Sequence, residues 1–293
     1  MAKPSSDHLA QVGTADGHER YVPDSDDGSI KGSMDGGHLS FYEWVVTDIG
    51  VANKRVVDLG CGSGYGVARL AEFAQQVDGI DQSPVAIAYA VRHYSRPNNS
   101  FAVGDLTTGL PASPSQGTYD MAVTSEVIEH VTDLFEFAYQ LRAALSKTGV
   151  AVVGTPNRLW GYQYMPGREL ISPSHVMELT PATLTGLMRQ FFGQVELYMH
   201  VFPVECLPLP DSVETSGFAH RFIRASRRSA GLFGRELLGP EGFAKARSYA
   251  PMPRSTAPSV NYRLDQFPYV LADQPGLDMA QCLGMAVVCR DPL

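Results

Sequence analysis

Glu126, Glu129 and His130 stand in the pattern E-x-x-E-H, directly after the strand-like run Tyr119 to Thr124. If a helix begins near Glu126, the i, i+3, i+4 spacing sets all three on one face at the mouth of that strand. Two carboxylates and an imidazole are ligands for a hard divalent cation such as Mg²⁺ or Mn²⁺. They equally suit acid–base work, with Glu129 orienting His130 and His130 taking a substrate proton. A third reading is an acidic helix N-terminus held by the macrodipole, with His130 packed nearby. The other stretch with chemistry in it is Val56 to Gly66, where an apolar run meets Gly60, Gly62, Gly64 and Gly66. That is a strand, a tight turn and a helix N-terminus, which together offer backbone N–H groups to a ligand. A dinucleotide fingerprint G-x-G-x-x-G fails in register. Its third glycine falls on Tyr65 when counted from Gly60, and on Val67 when counted from Gly62.

Elements that position these residues follow from the pattern of apolar positions. Strand and helix signals alternate, which predicts a doubly wound parallel sheet. Strands are expected at Arg55–Leu59, Val77–Ile80, Ser100–Val103, Tyr119–Thr124, Val150–Gly154 and Gln194–Val201. Helices are expected over His38–Gly50, from Tyr65 to about Phe73, from Pro84, over Leu134–Leu145, and from Thr180-Pro181 to Phe191. Lys147-Thr148-Gly149 reads as a turn, and Cys282–Cys289 alternates like a closing strand. Acidic residues end two of the strands, Asp81 after the second and Asp105 after the third.

Composition narrows the class. With 44% hydrophobic and 18% charged residues over 293 positions, the chain reads as an ordinary globular protein. A net charge of −8 argues against broad binding to nucleic acid phosphates. Cys61, Cys206, Cys282 and Cys289 are scattered without zinc spacing, which suits reduced thiols and a cytoplasmic location. Met1 to Glu19 lacks a continuous apolar core of a signal peptide, and no segment is long and apolar enough to span a bilayer.

Asp58-Leu59-Gly60-Cys61-Gly62-Ser63-Gly64, Gly79-Ile80-Asp81, Gly104-Asp105, Ser125 to Val131 and Gly154 to Arg158 together resemble the class I S-adenosylmethionine (SAM) methyltransferases. Within that class they resemble the ubiquinone-biosynthesis O-methyltransferases. Ser174 to Thr180 and the leader Glu19-Arg20-Tyr21-Val22-Pro23 are similar to small-molecule and sugar methyltransferases of bacterial biosynthetic clusters. The resemblance covers residues 18 to about 200 and the final strand. It implies an α/β, doubly wound, Rossmann-like sheet of seven strands whose last strand is antiparallel, with an insertion before that strand. It implies SAM as cofactor and S-adenosylhomocysteine as product. Gly60, Gly62 and Gly64 would meet the methionine part, Asp81 the ribose diol, and Asp105 and Leu106 the adenine. Tyr21, Asp58, Cys61, Gln82, Ser125 and Glu126 complete the expected cofactor contacts. Tyr21 and Tyr65 could face the sulfonium, whereas Cys61 reads as a small apolar filler. The E-x-x-E-H pattern also resembles the metal set of small-RNA terminal 2′-O-methyltransferases, in which a later histidine completes the ligands. On that resemblance His175 joins Glu126, Glu129 and His130, and His130, Glu129 and His175 form the catalytic set whether or not a metal is bound.

The domain organisation expected is a leader or lid at 1–37, a SAM-binding core at 38–201, an insertion or substrate cap at 202–280, and the final core strand at 281–293. Trp160, Tyr162, Tyr164 and Met165 follow strand five at the ligand edge and read as a substrate wall. Arg221, Arg224, Arg227 and Arg228 read as a solvated helix face or as a clamp for an anionic substrate. The function expected is methylation of a hydroxyl on a small metabolite or natural product. An amine acceptor, a metal-dependent RNA 2′-O-methyltransferase and a catalytically silent SAM-binding protein stand as alternatives. A small-molecule substrate is the partner expected, without membrane association, and a homodimer stays open.

Overall fold

Apolar runs of Val, Ile and Ala become buried strands, and the amphipathic stretches between them become helices on both faces. The structure, a computed structural model, describes residues 33–106, 118–164, 170–172, 174–202 and 268–293. Strands β1 (Arg55–Leu59), β2 (Gln76–Asp81), β3 (Asn99–Val103), β4 (Tyr119–Ser125) and β5 (Leu145–Pro156) run parallel to one another. With β6 (Phe192–His200), β7 (Tyr269–Leu271) and β8 (Gly284–Pro292) they make one sheet in the order β3-β2-β1-β4-β5-β8-β6-β7. The expected antiparallel final strand is β8, which lies between β5 and β6 and opposes both. An eighth strand is added to the seven expected. Tyr269–Leu271, from within the 202–280 stretch, pairs antiparallel with the edge of β6.

Helices α1 (Ser33–Trp44), α2 (Tyr65–Leu70), α3 (Pro84–Tyr94), α4 (Leu134–Ala144), α5 (Arg158–Tyr164) and α6 (Pro181–Met188) flank the sheet. Because side chains alternate along a strand, each central strand feeds two cores. Val57, Leu59, Ala122, Ala151 and Val153 pack with Phe137, Leu141, Leu184 and Met188 of α4 and α6. Val56, Met121, Val123 and Val152 pack with Phe41, Trp44, Val67 and Leu70 of α1 and α2. Among the described residues no helix is long and apolar enough to cross a membrane.

Three local expectations are corrected. The helix expected over 38–50 is α1, followed by a single π turn at Val45–Gly50. The turn expected at 147–149 is a register irregularity inside β5: Tyr119 pairs with Leu145, and Met121 with Val150. No helix begins at Glu126. Its N–H donates to the Gly154 carbonyl at 3.0 Å, so the chain stays on the sheet for one more residue. A left-handed φ of 57° at Glu126 then turns it into a 3₁₀ turn, Ile128–His130. The α-helix waits for Asp133, whose carboxylate accepts the Glu136 N–H and caps α4. In contrast, Thr180-Pro181 opens α6 as expected: the Thr180 hydroxyl accepts from the Thr183 N–H, and Pro181 is the first helical residue.

Candidate active site

Strand order reverses at β1, whose neighbours are β2 and β4, and the crevice at such a switch point is where open α/β sheets bind ligands. The glycine turn follows β1 there. Gly60 and Cys61 both donate N–H to the Ile80 carbonyl, at 2.7 and 3.0 Å, which folds the turn over the end of β2. Gly62 holds φ at 51°, and a Cβ placed on it would meet no atom of the described residues within 4 Å. Its openness fits a ligand that approaches the backbone closely. Gly66 has a different reason. A Cβ there would lie 2.2 Å from Tyr42 Cζ, because the Tyr42 ring covers the start of α2.

Carboxylates surround this turn. Asp81 is 7% exposed; its Oδ2 accepts the Gly62 N–H and its Oδ1 the Ser83 N–H, each at 2.9 Å. The carboxylate is thus fixed beside the open glycine, at the place where a ribose carboxylate is required. Asp58 is fully buried under the turn and accepts the Tyr42 hydroxyl at 3.1 Å. Burial pushes its carboxyl up to about 7; the Tyr42 hydrogen bond opposes the shift and the Asp81 charge adds to it. Of the other expected cofactor residues, Ser125 is half-buried at the end of β4, Asp105 is half-buried, and Gln82 is exposed. Leu106 joins a core cluster, and Cys61 is a buried thiol against the Gly79 backbone. Tyr21 lies outside the described residues. These residues fit a cationic, ribose-bearing cofactor: the cradle is open at Gly62, and acidic groups line it.

A second group assembles next to the turn. One ligand atom from each of Glu129, His130 and His175 lies within 4.8 Å of the others. Glu126, expected in the same set, is not among those three. Glu129 is completely buried; the Thr155 hydroxyl donates to its Oε2 at 2.9 Å, while Oε1 has no hydrogen-bond partner among the described residues. Burial above all, then the Glu126 charge, hold the Glu129 carboxyl well above the ordinary carboxylate range. Both imidazoles are anchored through Nδ1. His130 Nδ1 faces the Ser174 carbonyl at 3.1 Å, and His175 Nδ1 faces Glu178 Oε1 at 2.6 Å. Carbonyl and carboxylate oxygens only accept, so each Nδ1 carries a proton in these contacts. The rings meet edge to face with centroids 5.0 Å apart. The 170s segment is tied to the 3₁₀ turn by the Val176 and Met177 N–H groups, which donate to the Glu129 carbonyl at 2.9 and 3.1 Å.

Several contributors were not anticipated. Thr155 sits one residue past Gly154 on β5. Glu178 lies three positions after His175, a spacing that points an acid at a histidine. Tyr42 carries no such sequence signal. The aromatic wall divides: Trp160 is buried, while Tyr162 is exposed and lies 4.3 Å from the Arg158 guanidinium. Tyr164's side chain, Met165 and the arginines at 221–228 lie outside the described residues. Asn157, at the start of α5, donates its side-chain N–H groups to the Met279 and Cys282 carbonyls at 2.7 and 2.8 Å. Its backbone N–H donates to Leu283.

Comparison with known proteins agrees with this geometry. A family model described as a methyltransferase domain matches residues 51–195. A Mycolicibacterium smegmatis protein named probable S-adenosylmethionine-dependent methyltransferase is 34% identical over 152 residues, 52% of this chain and 56% of that one. A ubiquinone biosynthesis O-methyltransferase of Rhodopseudomonas palustris is 34% identical over 147 residues, covering 50% of this chain and 56% of its own. The chain spans about half the length of the curated relatives it matches. A crystal structure of a SAM-dependent methyltransferase from Thermotoga maritima shares the fold, with a TM-score of 0.53 at 14% identity over 87% of this chain and 90% of that one. The open glycine cradle, the acidic groups at the ends of β1 and β2 and the family match agree on a methyltransferase domain over residues 51–195, similar to proteins named as S-adenosylmethionine-dependent methyltransferases.

Proposed function

We propose that this protein transfers the methyl group of SAM to a hydroxyl of a small molecule, beside a divalent cation held by Glu129, His130 and His175. The observation that carries the reading is Glu129 Oε1, a buried carboxylate oxygen with no hydrogen-bond partner among the described residues, in a cluster with two imidazoles. A buried carboxyl with an oxygen left unpaired is costly, and a cation that takes the place of its proton offsets that cost. Two imidazoles and one carboxylate favour Mn²⁺ over Mg²⁺, because imidazole is a poor ligand for the harder ion. Such a cation would make a neighbouring hydroxyl more acidic. In the transfer itself, the acceptor hydroxyl gives up its proton to solvent and an oxygen lone pair forms the new bond to the methyl carbon. The sulfur–carbon bond breaks, its electron pair stays on sulfur, and S-adenosylhomocysteine leaves. The chain's own contribution is to align donor and acceptor and to exclude water. The relative named as an O-methyltransferase leans the acceptor atom toward oxygen. Residues 1–37 as a lid and 202–280 as an acceptor cap belong to the same reading.

A metal-free route is the second reading, favoured by the 2.6 Å contact between Glu178 and His175. There His175 Nε2 takes the hydroxyl proton, with Glu178 behind the ring. One experiment tests both. Purified protein is stripped with chelator and assayed with SAM and a panel of hydroxyl and amine acceptors, with a methyl mass shift as readout. Loss of activity on chelation and recovery with Mn²⁺ supports the cation; indifference to chelator supports His175 as base. No S-adenosylhomocysteine binding by calorimetry overturns both.

A further inference from the structure

The histidine that completes the site does not stand alone. Glu178 lies three residues beyond His175 with its side chain fully buried, and four donors converge on its carboxylate. Oε1 accepts the Ile171 and Ser172 N–H groups and faces His175 Nδ1 at 2.6 Å. Oε2 accepts from an Arg158 guanidinium nitrogen at 3.3 Å. Arg158 is itself buried and belongs to a different element, the first turn of α5. The carboxylate therefore joins the first turn of α5, residues 171–172 and the His175 ring. This cluster is larger than a helix cap or a solvated acid requires.

We propose that Glu178, held by Arg158 and two backbone N–H groups, is a positioning residue that locks His175 as its Nδ1–H tautomer and so keeps the Nε2 lone pair available to the site. The inference rests on the reading that His175 belongs to the active site. It holds whether Nε2 meets a cation or a substrate proton. A neutral imidazole free in water favours the opposite tautomer, with the proton on Nε2, and in that form His175 could serve neither purpose. Glu178 supplies the bias that reverses this preference. An outer carboxylate that fixes a histidine ligand changes metal affinity by about 10–100-fold when removed.

Nitrogen-15 spectra of the imidazoles report the tautomer directly, and His175→Gln identifies the His175 signals among the eight histidines of the chain. Spectra are recorded at pH 8 for the full chain and for Glu178→Gln and Glu178→Leu. The wild type is expected to show Nδ1–H. Glu178→Gln keeps a carbonyl oxygen for that proton and is expected to stay Nδ1–H. Glu178→Leu, similar in size and without an acceptor, is expected to move to Nε2–H. In parallel, Mn²⁺ binding by electron paramagnetic resonance is expected to weaken about 10–100-fold in Glu178→Leu and far less in Glu178→Gln. S-adenosylhomocysteine affinity stays constant across the three proteins and certifies the fold. A wild-type ring carrying a proton on Nε2, alone or together with Nδ1, overturns the proposal, and so does Glu178→Leu remaining Nδ1–H. If Glu178→Leu fails to fold, the wild-type tautomer decides. Failure of the wild type to bind Mn²⁺ removes the cation from the proposed function and leaves the tautomer result standing.

Discussion

Asp58→Asn asks whether the fold keeps a proton on the carboxyl beneath the glycine turn. Asp58 is fully buried, and its pKa is pushed from 3.8 up to about 7, chiefly by burial. A carboxyl with a higher pKa in the folded state binds its proton more tightly there than in the unfolded chain. Its stabilising effect is complete below about pH 4 and is lost as the pH rises through about 7. Between pH 6 and pH 8 the folded form gives up most of one proton that the unfolded form has already lost. Over that interval the loss of stability is about 1.4 kcal/mol. The Asn side chain retains an acceptor for the Tyr42 hydroxyl and has no proton to release, so the variant lacks this component. Urea unfolding of the cofactor-free protein at pH 6, 7 and 8 measures it. The wild type should lose about 1.4 kcal/mol more than the variant across the range. Identical pH dependence in the two proteins would refute the neutral buried carboxyl. Because SAM is cationic, its binding should favour the ionised carboxylate, and wild-type affinity for SAM should therefore rise with pH across the same window.

Other expectations concern the turn and the metal cluster. Gly62→Val meets no atom of the described residues at Cβ, so beyond the strain of a left-handed residue, about 1–2 kcal/mol, it should fold. It should lose S-adenosylhomocysteine affinity by about tenfold or more in calorimetry, and undiminished binding would move the cofactor off this loop. Gly66→Ala drives a methyl into the Tyr42 ring, and overpacking of this kind costs about 1–3 kcal/mol; a thermal melt identical to wild type would refute that contact. Glu129→Gln removes the charge that a cation would balance. Turnover and Mn²⁺ binding should both fall sharply while S-adenosylhomocysteine still binds, and wild-type turnover would exclude Glu129 from the chemistry. Trp44→Ala deletes a ring stacked 4.5 Å from Tyr269, and should destabilise by about 3–5 kcal/mol in chemical denaturation.

The parallel half of the sheet was legible because its signals are local. Val56 to Leu59 and Val77 to Ile80 are short stretches rich in Val, Leu and Ile, closed by Gly60 and Asp81, and Thr180-Pro181 states a helix start in two residues. The geometry of Glu126, Glu129 and His130 was not legible, because E-x-x-E-H has helical spacing on paper. The bond from the Glu126 N–H to Gly154, a tertiary contact, keeps the chain off the helix for eight residues. Glu129 and His130 still reach the site, but through a 3₁₀ turn rather than a shared helical face. β7 was missed for a related reason: three residues paired to an edge are too short to show a period. Glu178 was within reach, since His175 and Glu178 are one helical turn apart. Its partner Arg158 was not, because twenty residues separate them in sequence.

The position of β8 also bears on how the molecule comes to be made. Among the described residues β6 joins the parallel strands through β8, and Val152 of β5 pairs with Val288, so that closure spans 136 residues of chain. Closures of that span are slow, and they come after local pairing. During synthesis the strands β1 to β5 can pair while β6 still presents an open edge, a condition that invites association with other chains. The same late docking sets Asn157 against residues 279–283, and Arg158 is its immediate neighbour. A nascent chain could therefore form its cofactor turn before the support for His175 is in place. The fold withholds a finished active site until its final strand is home.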